Sequence, residues 1–206
     1  MLILSDYMMP EFSMKQRLYL TRQEVSVLVR ATFGSKNGLR DYCMLLLCYL
    51  HGFRTSELTG LKLSDLDLSG GRLSISRLKN GFSTVHPLHI QARKALDMWL
   101  NIRSQLVTDN DIQWLFVSRK GGRISRQRFY MICKEYGRLA GLPFDVHPHM
   151  LRHACGYELA EQGMDTRLIQ DYLGHRNIRH TVHYTAGNAA RFSRVWQDKS
   201  SYEVIF

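Results

Sequence analysis

The segment Leu39–Leu50 reads LRDYCMLLLCYL, and from Cys43 onward it has no polar break. A helix that is apolar on every side has no face to offer water, so other elements must surround it. Its apolar run is far shorter than the ~20 residues a membrane-spanning helix needs. The chain is therefore expected to wrap a soluble core around this segment. Gly52, two residues beyond Leu50, suits a helix terminus.

The flanking sequence supplies the wrapping. Thr21 and Glu24 form a T-x-x-E box that opens a helix. RTSELTGL after Gly52 predicts another helical turn. Over roughly 66–88 the pattern alternates, with Leu73 and Ile75 on one face. Asn80-Gly81 suits a tight type I′ hairpin turn, so a small antiparallel sheet is expected with Lys79 at the lip of its last turn. Helical periodicity returns at 90–106, and WLFVS (114–118) predicts a short strand. Ser125 caps a helix to about Ala140, closed by Gly141 and Pro143. Pro148 opens a helix that ends at Gly163; Asp165 caps the next, Gly174 ends it, and two short helices complete the chain. The expected fold class is α+β: a mostly helical domain with one small antiparallel β-sheet.

Charge narrows the function. The chain has 28 Lys and Arg against 18 Asp and Glu, a net charge of +10. Such an excess points to a polyanionic partner, nucleic acid first, although a basic protein without one is the alternative. The four cysteines, Cys43, Cys48, Cys133 and Cys155, form no CxxC pair and read as reduced core residues. MLILSDYMMP has neither the basic start nor the apolar length of a signal peptide. A cytoplasmic, nucleoid-associated protein with no membrane partner is expected.

Four stretches could carry chemistry. In HPHMLRHACGYELAEQG (147–163), His149 and Arg152 lie three apart on one helical face and could meet a single anion. An ordinary amphipathic helix with solvated cations is the plainer reading. His149 and His153 have metal-ligand spacing, but Arg152 crowds the place and the glutamate of H-E-x-x-H is missing. In HGFRTSEL, Arg54 emerges from an apolar segment and needs a partner, which Glu57 can supply; a structural ion pair explains this equally well. Lys79 in RLKNGF could be a plain solubilising turn residue. LGHRNIRHTVHYT (173–185) crowds His175, Arg176, Arg179, His180 and His183 around Tyr184, and positive charge there is expected to favour the phenolate.

Taken in order, Arg54, Lys79, HMLR (149–152), LGH (173–175) and Tyr184 resemble the tyrosine recombinases, the phage integrase family. RDYCMLLLCYLHGFR and RLKNGFSTVHPL, with the two histidine-rich stretches, look closest to the small fimbrial phase-variation recombinases of enteric bacteria. The resemblance implies that Tyr184 attacks a DNA phosphodiester, leaving a 3′-phosphotyrosyl link and a free 5′-hydroxyl. It implies that Arg54 and Arg152 clamp the non-bridging oxygens and that His175 donates to one of them. His149 would contact the phosphate and could take the tyrosine proton, Lys79 would protonate the departing 5′-oxygen, and Glu57 would orient Arg54. His147, His153, His180 and His183 are read as structural. Charge that builds on the phosphoryl oxygens is stabilised by fixed guanidinium and imidazole donors. With two arginines, a lysine and histidines to hold the phosphate no metal is expected, and because covalent capture conserves the bond energy no ATP or other cofactor is expected.

The resemblance also implies the organisation: a 1–17 extension, an 18–190 catalytic domain, and a 191–206 tail that is a possible subunit-docking helix. Its implied partners are double-stranded DNA with inverted-repeat sites, further copies of the chain in a synaptic tetramer, and accessory DNA-bending proteins. Inversion of a promoter element between the repeats is the expected activity. Relaxation of DNA by type IB topoisomerase chemistry and non-catalytic DNA-binding regulation are the alternatives.

Overall fold

The computed structural model describes residues 18–76, 83–107, 109 and 111–187. Lys79, the Asn80-Gly81 turn, the 1–17 extension and the 191–206 tail lie outside the described residues.

The apolar segment forms helix α2 (Gly38–His51), preceded by α1 (Arg22–Arg30). Cys43 through Cys48 are all buried, as expected of a helix apolar on every side. It packs on α4 (Ile90–Leu106) and on α6 (Pro148–Glu161). Gly52 stops it in the left-handed conformation (φ 61°), and a Cβ there would fall 2.3 Å from the Leu173 side chain. Thr21 caps α1 through the reciprocal box with Glu24.

The short helix α3 (Thr55–Thr59) follows, then a 3₁₀ turn (Leu63–Asp65) and three strands. Strands β1 (Leu66–Asp67), β2 (Arg72–Ile75) and β3 (Thr84–Pro87) form an antiparallel sheet in that order. Leu73 pairs with Leu66 on one side and with His86 on the other. Leu73 and Ile75 are buried on the core face. Its place and antiparallel sense agree with the expectation.

Residues 114–118 are not a strand. Trp114 and Val117 make only isolated bridges, to Lys62 and Arg123. Side chains of α4 take the backbone acceptors that a neighbouring strand would use. Trp99 Nε1 donates to Leu115 O at 2.9 Å, and Arg103 Nε donates to Trp114 O at 2.9 Å. Leu115 and Phe116 are both buried, so the segment threads the core instead of alternating between faces.

Helix α5 (Arg126–Leu139) is capped by Ser125, whose Oγ accepts from Arg128 N–H at 3.0 Å. Pro148 occupies the first turn of α6, as expected, although that helix ends at Glu161 rather than at Gly163. Asp165 caps α7 (Thr166–Leu173), and Gly174 ends it with φ 66°. The last described helix is α8 (Arg179–Ala186). Helices α6, α7 and α8 enclose a second, smaller core of Cys155, Ala160, Ile169, Leu173 and Tyr184. All four cysteines are free and buried. No described helix is long and apolar enough to cross a membrane.

Candidate active site

Two helix ends build the cationic centre. The C-terminal carbonyls of a helix have no intrahelical donor and carry partial negative charge. At the end of α7, Leu173 O accepts from Arg152 Nη2 at 2.8 Å and Gly174 O accepts from Arg54 Nη2 at 2.9 Å. At the end of α2, Gly52 O accepts from Arg152 Nη1. The left-handed glycines at 52 and 174 turn these chain ends so that their carbonyls meet the arginines.

Glu57 completes the arrangement. Its Oε1 accepts from Arg54 Nη1 at 2.7 Å, and its Oε2 accepts from the Arg54 backbone N–H at 2.8 Å. Oε2 also lies 4.0 Å from Arg152 Nη1. One buried carboxylate thus faces both guanidiniums. Arg152 is buried, while the Arg54 side chain stays 39% exposed.

Arg54, His149, Arg152, His153, His175, Arg179, His180, His183 and Tyr184 line a single cleft of about 540 Å³. It therefore gathers every sequence-predicted site residue within the described chain except Glu57, which stands behind the arginines. Among the described residues, no Asp or Glu lines it. A second groove of about 490 Å³ shares Arg54 and His149 and continues past Ser56, Arg126, Gln127 and Tyr130. The two form one basic track across this face.

Four imidazoles of the cleft, His149, His153, His175 and His183, are held below the ordinary histidine value. Burial, followed by the charges of Arg152 and Arg54, holds His175 down at about 3. Its Nδ1 pairs with Thr181 Oγ1 at 2.9 Å, which fixes the ring. Burial and then His183 hold His153 down at about 4. His149 is lowered by burial, then by Arg152 and Arg54. Arg54, Arg152 and Arg179 give the described cleft fixed positive charge.

Tyr184 departs from expectation. Its residue is only 2% exposed, and burial pushes its phenol well above the usual range, with Arg152 pulling the other way more weakly. The surrounding cations do not produce a phenolate in this structure, because removal from water outweighs them. The ring lies against His183 (centroids 3.9 Å apart) and meets Tyr157 edge-on at 5.1 Å. His175 lies nearly parallel to it at 6.3 Å.

The hydroxyl of Tyr184 makes one hydrogen bond among the described residues, to His153 Nδ1 at 2.8 Å. The sequence reading left His153 as a structural residue. The signal was present: His149, Arg152, His153 and Gly156 share one face of α6. What spacing does not reveal is that Tyr184, on another helix, closes over that face.

The profile of the phage integrase family matches residues 18–191. The chain is 55% identical over 184 residues to the type 1 fimbriae regulatory protein FimE of Escherichia coli strain K12, covering 89% of this chain and 93% of that protein. It is 52% identical over 182 residues to FimB of the same strain, covering 88% and 90%. Among solved structures it resembles the XerA recombinase, with a TM-score of 0.75 and 29% identity over 88% of this chain and 64% of that one. A lambda integrase dimer bound to a core site shares the fold, with a TM-score of 0.64 and 23% identity over 79% of this chain and 59% of that one.

Proposed function

The chain belongs to the phage integrase family, and from that membership we infer that it is a site-specific DNA recombinase of the tyrosine type. It cuts and rejoins double-stranded DNA through a 3′-phosphotyrosyl intermediate, inverting a promoter element between inverted repeats to control fimbrial phase variation. One observation carries the chemistry: Arg54, His149, Arg152, His175 and Tyr184, scattered over 131 positions of sequence, line one cleft. Likeness to FimE and FimB over nearly their whole length supports the fimbrial role.

A phosphodiester seated in the cleft puts its non-bridging oxygens against Arg54 and Arg152. Their planar forks are held by helix-end carbonyls and Glu57, so little reorganisation is needed as charge builds on phosphorus. His175, fixed by Thr181, donates to one oxygen through Nε2, and His149 contacts the phosphate from the start of α6. Tyr184 attacks phosphorus. Lys79 protonates the departing 5′-oxygen. Loss of one such donor costs about 3–4 kcal/mol in the barrier.

The DNA continues along the basic track past Arg126, Gln127 and Tyr130. The catalytic unit spans 18–190, and the 191–206 tail docks on a neighbouring copy within a synaptic tetramer. Deleting residues from Arg191 onward abolishes synapsis more than DNA binding; equal loss of both refutes the docking. Accessory DNA-bending proteins assist, and full-rate recombination of linear DNA by the purified protein alone would rule them out. The enzyme works in the cytoplasm, at the nucleoid.

A reporter segment flanked by candidate inverted repeats tests the whole reading. Wild type inverts it and leaves a covalent adduct on a nicked site. Tyr184→Phe binds with nearly unchanged affinity but forms neither product. Relaxation without exchange between two sites indicates a topoisomerase, and wild-type binding without any adduct indicates a regulator.

A further inference from the structure

We propose that His153 is the group that takes the proton from Tyr184 Oη as the phenol attacks phosphorus. This rests on the reading of Tyr184 as nucleophile. Three features of the cleft lead to it.

The first is contact. His153 Nδ1 lies 2.8 Å from Oη, within the range a general base requires, and no other described group hydrogen-bonds to that hydroxyl. His149, one turn earlier on α6, lines the cleft but makes no such bond.

The second is elimination. Among the described residues that line the cleft there is no carboxylate, and the bases they offer are imidazoles. His175 Nδ1 is committed to Thr181, and His183 meets Tyr184 ring against ring. Among the described residues, His153 alone offers a nitrogen to the oxygen.

The third is protonation state. Burial and the neighbouring cationic groups keep His153 neutral at pH 7, and the tautomer with its hydrogen on Nε2 presents the Nδ1 lone pair to the phenol as an acceptor. The incoming phosphate brings negative charge that opposes the effect of those cations and raises the imidazole's basicity.

The step balances. The Oη–H bond breaks as Nδ1–H forms, and the freed pair on Oη makes the Oη–P bond. The P–O5′ bond breaks with its pair going to O5′, which is protonated by Lys79 in the scheme above. On rejoining, the 5′-hydroxyl returns its proton to Lys79 as it attacks phosphorus, and the P–Oη bond breaks with its pair going to Oη, which recovers its proton from His153.

Single-turnover cleavage of a nicked duplex carrying one candidate inverted repeat tests this. His153→Ala should slow adduct formation by about 10²–10⁴-fold while DNA affinity stays within about twofold. Added imidazole should restore the rate, and more basic substituted imidazoles should restore it further. His153→Gln, which keeps an acceptor but cannot carry a proton, should be as slow as His153→Ala. A wild-type rate in either variant, or slowing that no imidazole relieves, overturns the proposal while a silent Tyr184→Phe leaves the recombinase reading standing. An adduct formed by Tyr184→Phe overturns both.

Discussion

Gly156 forms the floor beneath Tyr184: a Cβ at position 156 would fall 2.6 Å from Cζ of the ring. Glycine inside a helix costs about 1 kcal/mol relative to alanine, so this site on α6 bears a local penalty for the closeness of the phenol. Gly156→Ala should displace Tyr184 from its place beside His153. Adduct formation should fall by at least about tenfold, while DNA binding should be nearly unaffected. An adduct rate equal to wild type would show that the ring can shift without consequence.

Glu57 should matter to stability as well as to cleavage. Its side chain is 7% exposed and faces both Arg54 and Arg152, the latter also buried. Glu57→Ala removes a carboxylate that faces a buried guanidinium, a change of the class that costs about 3–5 kcal/mol. The exposure of Arg54 and the 4.0 Å separation from Arg152 place the expected loss near or below the low end of that range. Urea unfolding measures it. An unchanged midpoint would mean that the helix-end carbonyls alone hold the two arginines.

Acid should destabilise the protein before its carboxylates titrate. Burial, with His86 and His89 nearby, holds His51 down at about 3. Its ring stacks on Phe53, and its Nδ1 lies 3.3 Å from the Tyr172 hydroxyl. His175 at about 3 and His153 at about 4 behave alike. Each folded value lies below the unfolded value near 6.5, so the unfolded chain binds more protons between them. Stability is therefore full above about pH 6.5 and is lost as pH falls toward the folded values, with a limiting slope of about 1.4 kcal/mol per pH unit for each histidine. His51→Phe should flatten the dependence by about one proton. A profile of the same steepness would assign it elsewhere.

DNA binding should depend steeply on salt. If the basic track neutralises 6–10 phosphates, affinity should drop by roughly 10³–10⁵ between 50 and 200 mM salt. Arg126, at the start of α5 beside the cleft, is one such cation. Arg126→Ala should reduce the log–log slope by about 1 if it meets a phosphate. Filter binding or anisotropy over a salt series reads this directly, and an unaltered slope would put the DNA elsewhere.

Much of the architecture could be read locally. The capping box at Thr21, the caps at Ser125 and Asp165, Pro148, and the glycines at 52 and 174 all mark real helix boundaries, because capping depends on neighbouring backbone groups alone. The apolar run around Cys43–Leu50 likewise required a central helix. The 114–118 segment departs from the expected strand because Trp99 and Arg103, on a separate helix, take its backbone acceptors.

The residue types of the site, and their order, were set by the sequence alone. Tertiary structure decided their relationships: one carboxylate facing two arginines, helix-end carbonyls holding both guanidiniums, and His153 touching the phenol. It also decided the ionisation state, since the effect of charge on Tyr184 depends on how much water the fold removes. Spacing reports which side chains share a helical face; desolvation and contacts between helices arise only when those faces close on one another.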